Sequence, residues 1–280
     1  VSHAHQPRGG GQHLAIAAAV VSCGLVVLLA CGCSVWRDKP AIQTTPSQNK
    51  LVRDQLWIYS DAPLPTQHRL VEELCLQRTE VLERLNLPAS NEPIHVYLFD
   101  TGERFNTFMR LQYPDFPSRR AFFVETDTRL AVYAHWGDRV AEDLRHEVAH
   151  GYLHSVVPNL PLWLDEGLAE FFEVPRGQHG VNVPHITDLE TRLPGGWRPD
   201  LRRLEALGAV GDMRQVDYAE SWLWVHWMMG DTQRLELLRT HLHRLRRDGT
   251  SEPLSLQLRR LMPHPEGELL KHLQTLAVQH

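Results

Sequence analysis

From His146 to His150 the chain reads HEVAH, and from Trp163 to Glu173 it reads WLDEGLAEFFE. On a helix, side chains four positions apart lie on one face, so His146 and His150 can both reach a single cation. Imidazole nitrogens bind zinc at about 2.0–2.1 Å, and a catalytic zinc takes three protein ligands and keeps a position open for water. Glu166, sixteen positions after His150, can be the third ligand. Glu147 lies beside the sector of the two histidines, where a general base acting on that water has to be. Glu170, one turn beyond Glu166, can accept a hydrogen bond from a ligating ring and hold its tautomer.

Two features weigh against reading the motif alone. The chain has 17 histidines, so a bare HExxH can arise by accident. Glu166, Glu170 and Glu173 also form the polar stripe of an amphipathic helix whose other side is Leu164, Leu168, Phe171 and Phe172, and an exposed face has the same pattern. The conjunction of the two segments makes the metal reading the stronger one. His154, one turn past His150, lies too far along the axis to share the same ion and is expected to be an outer partner or solvated.

The elements that must position these residues follow from hydrophobic spacing. Strands are expected over 51–60, 93–100 and 129–136, and helices over 66–85 and 102–111. The helix carrying HEVAH is expected to start behind Asp138 as its cap and run to about His154. Its apolar stripe is Val140, Ala141, Leu144, Val148, Gly151 and Tyr152, with the histidines opposite. Beyond residue 200 the pattern is helical, with breaks near Gly211, Gly230, Gly249 and Pro263 to Pro265. The expected class is α+β: a small mixed sheet packed on the motif helix, then a mainly helical part, with the division near residue 138.

The 280 residues, 42% of them hydrophobic, suffice for a sizeable core. With 29 basic and 34 acidic residues scattered along the chain, no basic stripe marks a nucleic-acid surface. Residues 14–30, LAIAAAVVSCGLVVLLA, form an uncharged apolar run that leads into CGC, which suits a signal peptide ending in a lipobox. Cys31 and Cys33 are both candidates for acylation; an uncleaved membrane anchor and a plain secretory signal are the alternatives. Residues 1–33 are therefore read as a leader or anchor, 34–50 as a polar tether, and 51–280 as one exported domain. Three of the four cysteines lie in the leader, so no internal disulfide framework is available, and Cys75 is expected to be a buried, inert thiol.

HEVAH followed at short range by WLDEGLAEFFE resembles the gluzincin metallopeptidases, the thermolysin-like branch of the zincins, and within them the bacterial peptidase-MA-like domains. The resemblance extends over about 51–275 and is specific over 129–173 and around 218. It implies a zincin-like fold holding one Zn2+ per chain, with His146, His150 and Glu166 as ligands, Glu147 as base and Glu170 as outer partner. Glu170 stands where thermolysin-like enzymes carry aspartate. The HExxHxxGxxH pattern of another zincin branch is absent, since Leu153 and Val156 occupy its last two positions. In DYAESWLWVHWMMG, Asp217 and Glu220 have capping-box spacing, so Tyr218 would open a helix ending at Gly230. The resemblance implies an oxyanion donor at such a tyrosine, with His226 behind it as the other candidate. It also implies that 129–136 is an edge strand able to pair with an extended substrate.

The function expected on this basis is a zinc-dependent hydrolase anchored at the cell envelope, acting on peptide or protein substrates. Water on the metal would be deprotonated by Glu147, which would then pass the proton to the leaving amine. The alternative is a zinc-containing binding or assembly lipoprotein without catalysis on a peptidase-like fold, a reading that gives Glu147 nothing to do.

Overall fold

The computed structural model describes residues 44–280. The leader, the CGC segment and most of the expected tether lie outside the described residues. Asn49 and Lys50, assigned to the tether from sequence, begin the first strand. The described part is α+β, with a mixed five-stranded sheet followed by a mainly helical C-terminal part. Among the described residues, no helix is long and apolar enough to cross a membrane.

The segment expected as one strand is a hairpin. Strands β1 (Asn49–Arg53) and β2 (Leu56–Ser60) pair antiparallel around a two-residue turn, and Asp54 takes the left-handed conformation there (φ 48°). Helix α1 (Arg69–Leu85) leads to β3 (Ile94–Phe99), and α2 (Gly102–Gln112) to β4 (Ala121–Thr126) and β5 (Arg129–His135). The sheet order is β1-β2-β3-β5-β4, with β2, β3 and β5 parallel and the two outer strands antiparallel to their neighbours. Strand β5 is therefore interior, which corrects the expectation of an edge strand at 129–136; β4, unanticipated, takes that edge. The strands alternate between two cores. Ile94, Val96, Leu98, Val132, Ala134 and Phe123 face the main core, while Tyr97, Phe99, Tyr133, Phe122 and Val124 join Phe105 and Phe108 of α2 on the other face.

Helix α3 (Val140–His154) follows β5 and packs between the sheet and α1. Its cap is Arg139 without a side-chain bond, not Asp138, because the Val140 amide reaches the Gly137 carbonyl (3.1 Å) and the helix starts later. Buried Gln77 of α1 donates to the carbonyls of Arg145 (2.7 Å) and Phe172 (3.0 Å), tying α1 to α3 and to helix α4 (Leu162–Phe172). Tyr152 donates to the Leu74 carbonyl (3.0 Å). Cys75 is half-buried rather than buried, and burial pushes its thiol up to about 11, so it stays protonated at neutral pH.

The C-terminal part comprises α5 (Val183–Arg192), α6 (Leu201–Glu205), α7 (Gln215–Met229), α8 (Thr232–Asp248), α9 (Leu254–Leu261) and α10 (Pro265–Gln279), with breaks at the expected Gly and Pro positions. Helix α7 is buried almost all round and lies against α4. At Gly167 the two backbones approach so closely that a Cβ would sit 2.6 Å from the Ser221 carbonyl oxygen and 3.0 Å from a Val225 methyl. Gly167→Ala is expected to cost about 1–3 kcal/mol by overpacking, read as a lowered thermal midpoint. An unchanged midpoint would mean the helices do not meet there.

Helix α10 docks on α7 through a half-buried histidine pair, His226 Nδ1 to His272 Nε2 at 2.9 Å. Burial pushes both rings down to about 4, with His272 adding to the effect on His226 and Arg234 to that on His272. Below the usual histidine pKa of about 6.5 the unfolded chain then binds more protons than the folded one, so stability falls as pH drops from about 6.5 to 4. For the pair the expected loss is on the order of 3 kcal/mol, discounted for the partial exposure of His272. His154, raised to about 10, stays protonated in the folded state, so it opposes this loss only near pH 6.5 and above, where the unfolded ring gives up its proton, and adds no slope well below that. Thermal melts of the metal-free protein between pH 7 and 4 test this; a flat midpoint would contradict it.

Candidate metal centre

Helices α3 and α4 bring the two sequence segments together. His146 Nε2 and His150 Nε2 lie 3.2 Å apart, and a Glu166 carboxylate oxygen lies 3.5 Å from the first and 3.8 Å from the second. A tetrahedral site with bonds of about 2.0–2.1 Å has donor-to-donor edges of about 3.3–3.4 Å, so the spacing fits a small tetrahedral cation. Glu166 is 0% exposed, which removes the solvated-stripe alternative for this residue.

The outer bonds fix which nitrogens converge. Asp165 is buried, and although burial opposes ionisation, His150 and His154 hold its carboxyl well below the usual range. As a carboxylate it only accepts, so His150 Nδ1 (2.8 Å) and His154 Nε2 (2.9 Å) must both donate to it. Glu173 is likewise held ionised against burial, chiefly by its bond with His146, and accepts from His146 Nδ1 (3.0 Å). With both Nδ1 atoms committed as donors, both Nε2 atoms are left to bring lone pairs, or one added proton, to the point where Glu166 also arrives. Burial disfavours the charged form of His146, yet its bonds with Glu166 and Glu173 raise its pKa well above 6.5, as expected where anionic and lone-pair donors crowd together. Two other groupings, His150–His154–Asp165 and His146–Glu170–Glu173, also bring donor atoms close. In the first, both carboxylate oxygens already take N–H donors; in the second, His146 Nδ1 is already bonded to Glu173.

The outer shell differs from the expectation at Glu170. Its carboxylate bonds His185 Nε2 (2.7 Å) of α5, while Asp165 and Glu173 steady the two motif histidines. The roll of α4 about its axis decides this, and sequence spacing does not define it. Burial and the neighbouring Glu173 charge raise the Glu170 carboxyl. Glu173 is held in turn by Asn182 (2.9 Å). His154 is buried and extends the network outwards, its Nδ1 bonding Glu125 of β4 (2.7 Å). The rings of His150 and His154 pack against Phe123, at centroid distances of 5.8 and 5.1 Å.

A cleft of about 1010 Å³ opens over this cluster, lined among others by His146, Glu147, Glu170, Arg119 and Tyr218. Glu147 is 8% exposed, lies near enough for its charge to act on His146, and makes no hydrogen bond to another described residue. Tyr218 does reach the cleft, but α7 starts earlier than expected: its cap is Arg214, and Asp217 closes the capping box by accepting from the Arg214 amide (2.7 Å). Glu220 instead binds the Asp200 amide (2.6 Å) and Arg203 (2.9 Å). Burial, with the Glu166 charge, raises the Tyr218 phenol against the opposing pull of Arg119, so it stays protonated. Its oxygen accepts from Arg119 Nη2 (2.8 Å), which leaves its own O–H to donate into the cleft. His226 does not line the cleft. It lies about 12 Å further along α7, paired with His272.

Sequence reasoning did not single out Arg119, Asp165, Asn182 or His185. Asp165 adjoins Glu166 and could have been flagged by that adjacency; Arg119, in the loop before β4, carries no pattern. No family model matches the chain, and no curated protein matches it.

Proposed function

We propose that the domain is a zinc-dependent hydrolase of zincin-like fold, acting on peptide bonds. The observation that carries this reading is the convergence of His146 Nε2, His150 Nε2 and a Glu166 oxygen at edges of 3.2–3.8 Å, with both imidazoles oriented by carboxylates at Nδ1. His146, His150 and Glu166 would hold the ion. Zinc so bound would act as a Lewis acid on water and on a substrate carbonyl.

The remaining work belongs to the chain. Asp165 and Glu173 fix ring orientation and keep both Nε2 atoms aimed at one point. Glu147, beside the cluster and without a competing hydrogen bond among the described residues, would take a proton from attacking water and deliver it to the leaving amine. Tyr218, its oxygen occupied by Arg119, would direct its O–H at the oxygen where charge develops. The open edge of β4, rather than β5, is the strand available for pairing with an extended chain. The proposed setting is the cell envelope, through the N-terminal leader or anchor.

A cleavage profile of the purified, zinc-loaded protein on a diverse peptide mixture tests the reading. Zinc-dependent cleavage that disappears in Glu147→Gln supports it. Stoichiometric zinc with no cleavage of any peptide would instead favour the binding module.

A further inference from the structure

The cations around the cleft are matched to carboxylates with one exception. Arg120 makes a two-pronged pair with Asp143 (2.7–3.1 Å), Arg139 pairs with Glu142, and Arg145 pairs with Glu73 (2.9 Å). Arg119 has no carboxylate partner among the described residues. Its one hydrogen bond there is to the neutral Tyr218 hydroxyl at 2.8 Å, with the guanidinium 5.7 Å from the ring centroid. A guanidinium carries five N–H donors in a planar fork, a shape matched to carboxylate. Leaving most of those donors unused in a half-buried position is costly unless a ligand completes them.

Position supplies the second part. Arg119 and Ala121, the first residue of edge strand β4, both line the cleft beside His146 and Glu147. Arg119 is close enough to Glu166 and Glu147 for their charges to act on it, yet it is bonded to neither. Its side chain is bonded to Tyr218, which stands at the first turn of α7 and lines the same cleft, so the fork is held at the cleft wall.

We infer that Arg119 is a specificity-determining residue that receives a substrate carboxylate, so that the peptides taken by this cleft carry an anionic group close to the cleaved bond. This rests on the hydrolase reading above and narrows it. The carboxylate has two possible sources, a free C-terminus and an Asp or Glu side chain, and both present the same two-oxygen face to the fork.

Binding separates this inference from the activity. Full-length zinc-loaded protein carrying Glu147→Gln is titrated calorimetrically with an N-acetylated tripeptide acid, its C-terminal amide, and an amide ending in Asp. The acid is expected to bind about tenfold or more tighter than the plain amide, and Arg119→Met should abolish that difference while zinc content and thermal midpoint are retained. Arg119→Lys, which keeps charge but not the fork, should recover only part of it. If the Asp amide binds like the acid, the side chain is an accepted source; if it binds like the plain amide, the C-terminus is. If only the Asp amide binds tighter than the plain amide, the side chain alone is the source; equal binding of the acid and both amides, including no measurable binding of any, overturns the inference, as does a preference that survives in Arg119→Met. Cleavage of acid and amide alike by the unaltered protein would leave the hydrolase reading standing without this site. Arg119-dependent binding without any cleavage would do the reverse.

Discussion

Glu147→Gln is expected to bind zinc like the unaltered protein and to lose turnover by a factor on the order of 10² or more. Glu147 is not one of the three converging donors, so an uncharged isostere leaves that cluster intact. It removes the proton acceptor beside the cluster, and the loss should fall on kcat rather than on peptide affinity, because proton transfer belongs to the transition state. Tyr218→Phe should give a smaller loss of the same kind with metal retained, since its hydroxyl is proposed to serve an oxygen that becomes anionic only during reaction. Measuring zinc content and steady-state kinetics on the same preparations separates the outcomes. If cleavage survives in Glu147→Gln, the proposed base is wrong even where the metal site is right.

Glu166→Ala is expected to act at the earlier step, weakening zinc binding itself. The residue is fully buried between the motif histidines, and removing its carboxylate leaves two neutral donors where there were two and an anion. Activity should fall in parallel and recover in part with excess zinc, a rescue that Glu147→Gln should not show. Asp165→Ala provides the graded comparison. It removes the acceptor that fixes His150 without touching the converging donors, so a weakening of about 10–100-fold is expected. Competition titrations with a zinc chelator measure all three; unchanged affinity in Glu166→Ala would remove it from the donor set.

How much of this was legible in the sequence depended on whether the signal was local. The spacing of His146, Glu147 and His150 on one helix, and the apolar side of α4, are properties of single elements and are read directly. Which carboxylate meets which ring is not. Three glutamates share a stripe on or just beyond α4, and the roll of that helix sends Glu166 to the histidine pair, Glu173 to His146 and Glu170 to His185. Strand β4 escaped notice because AFFVET is buried on both faces and shows no alternation. The β1–β2 turn escaped because Asp54–Gln55 lacks the Gly that marks most two-residue hairpins. Arg119 meets Tyr218 across 99 positions, a pairing that only the assembled fold creates.

The central claim is that His146, His150 and Glu166 form one zinc site, and zinc stoichiometry in the unaltered protein and in His150→Ala tests it most directly. After chelator treatment, reloading and removal of loose metal, the unaltered chain should hold about one zinc and His150→Ala well below one, with both still folded. Full occupancy at unchanged affinity in folded His150→Ala, or no zinc in the unaltered chain, would contradict the account.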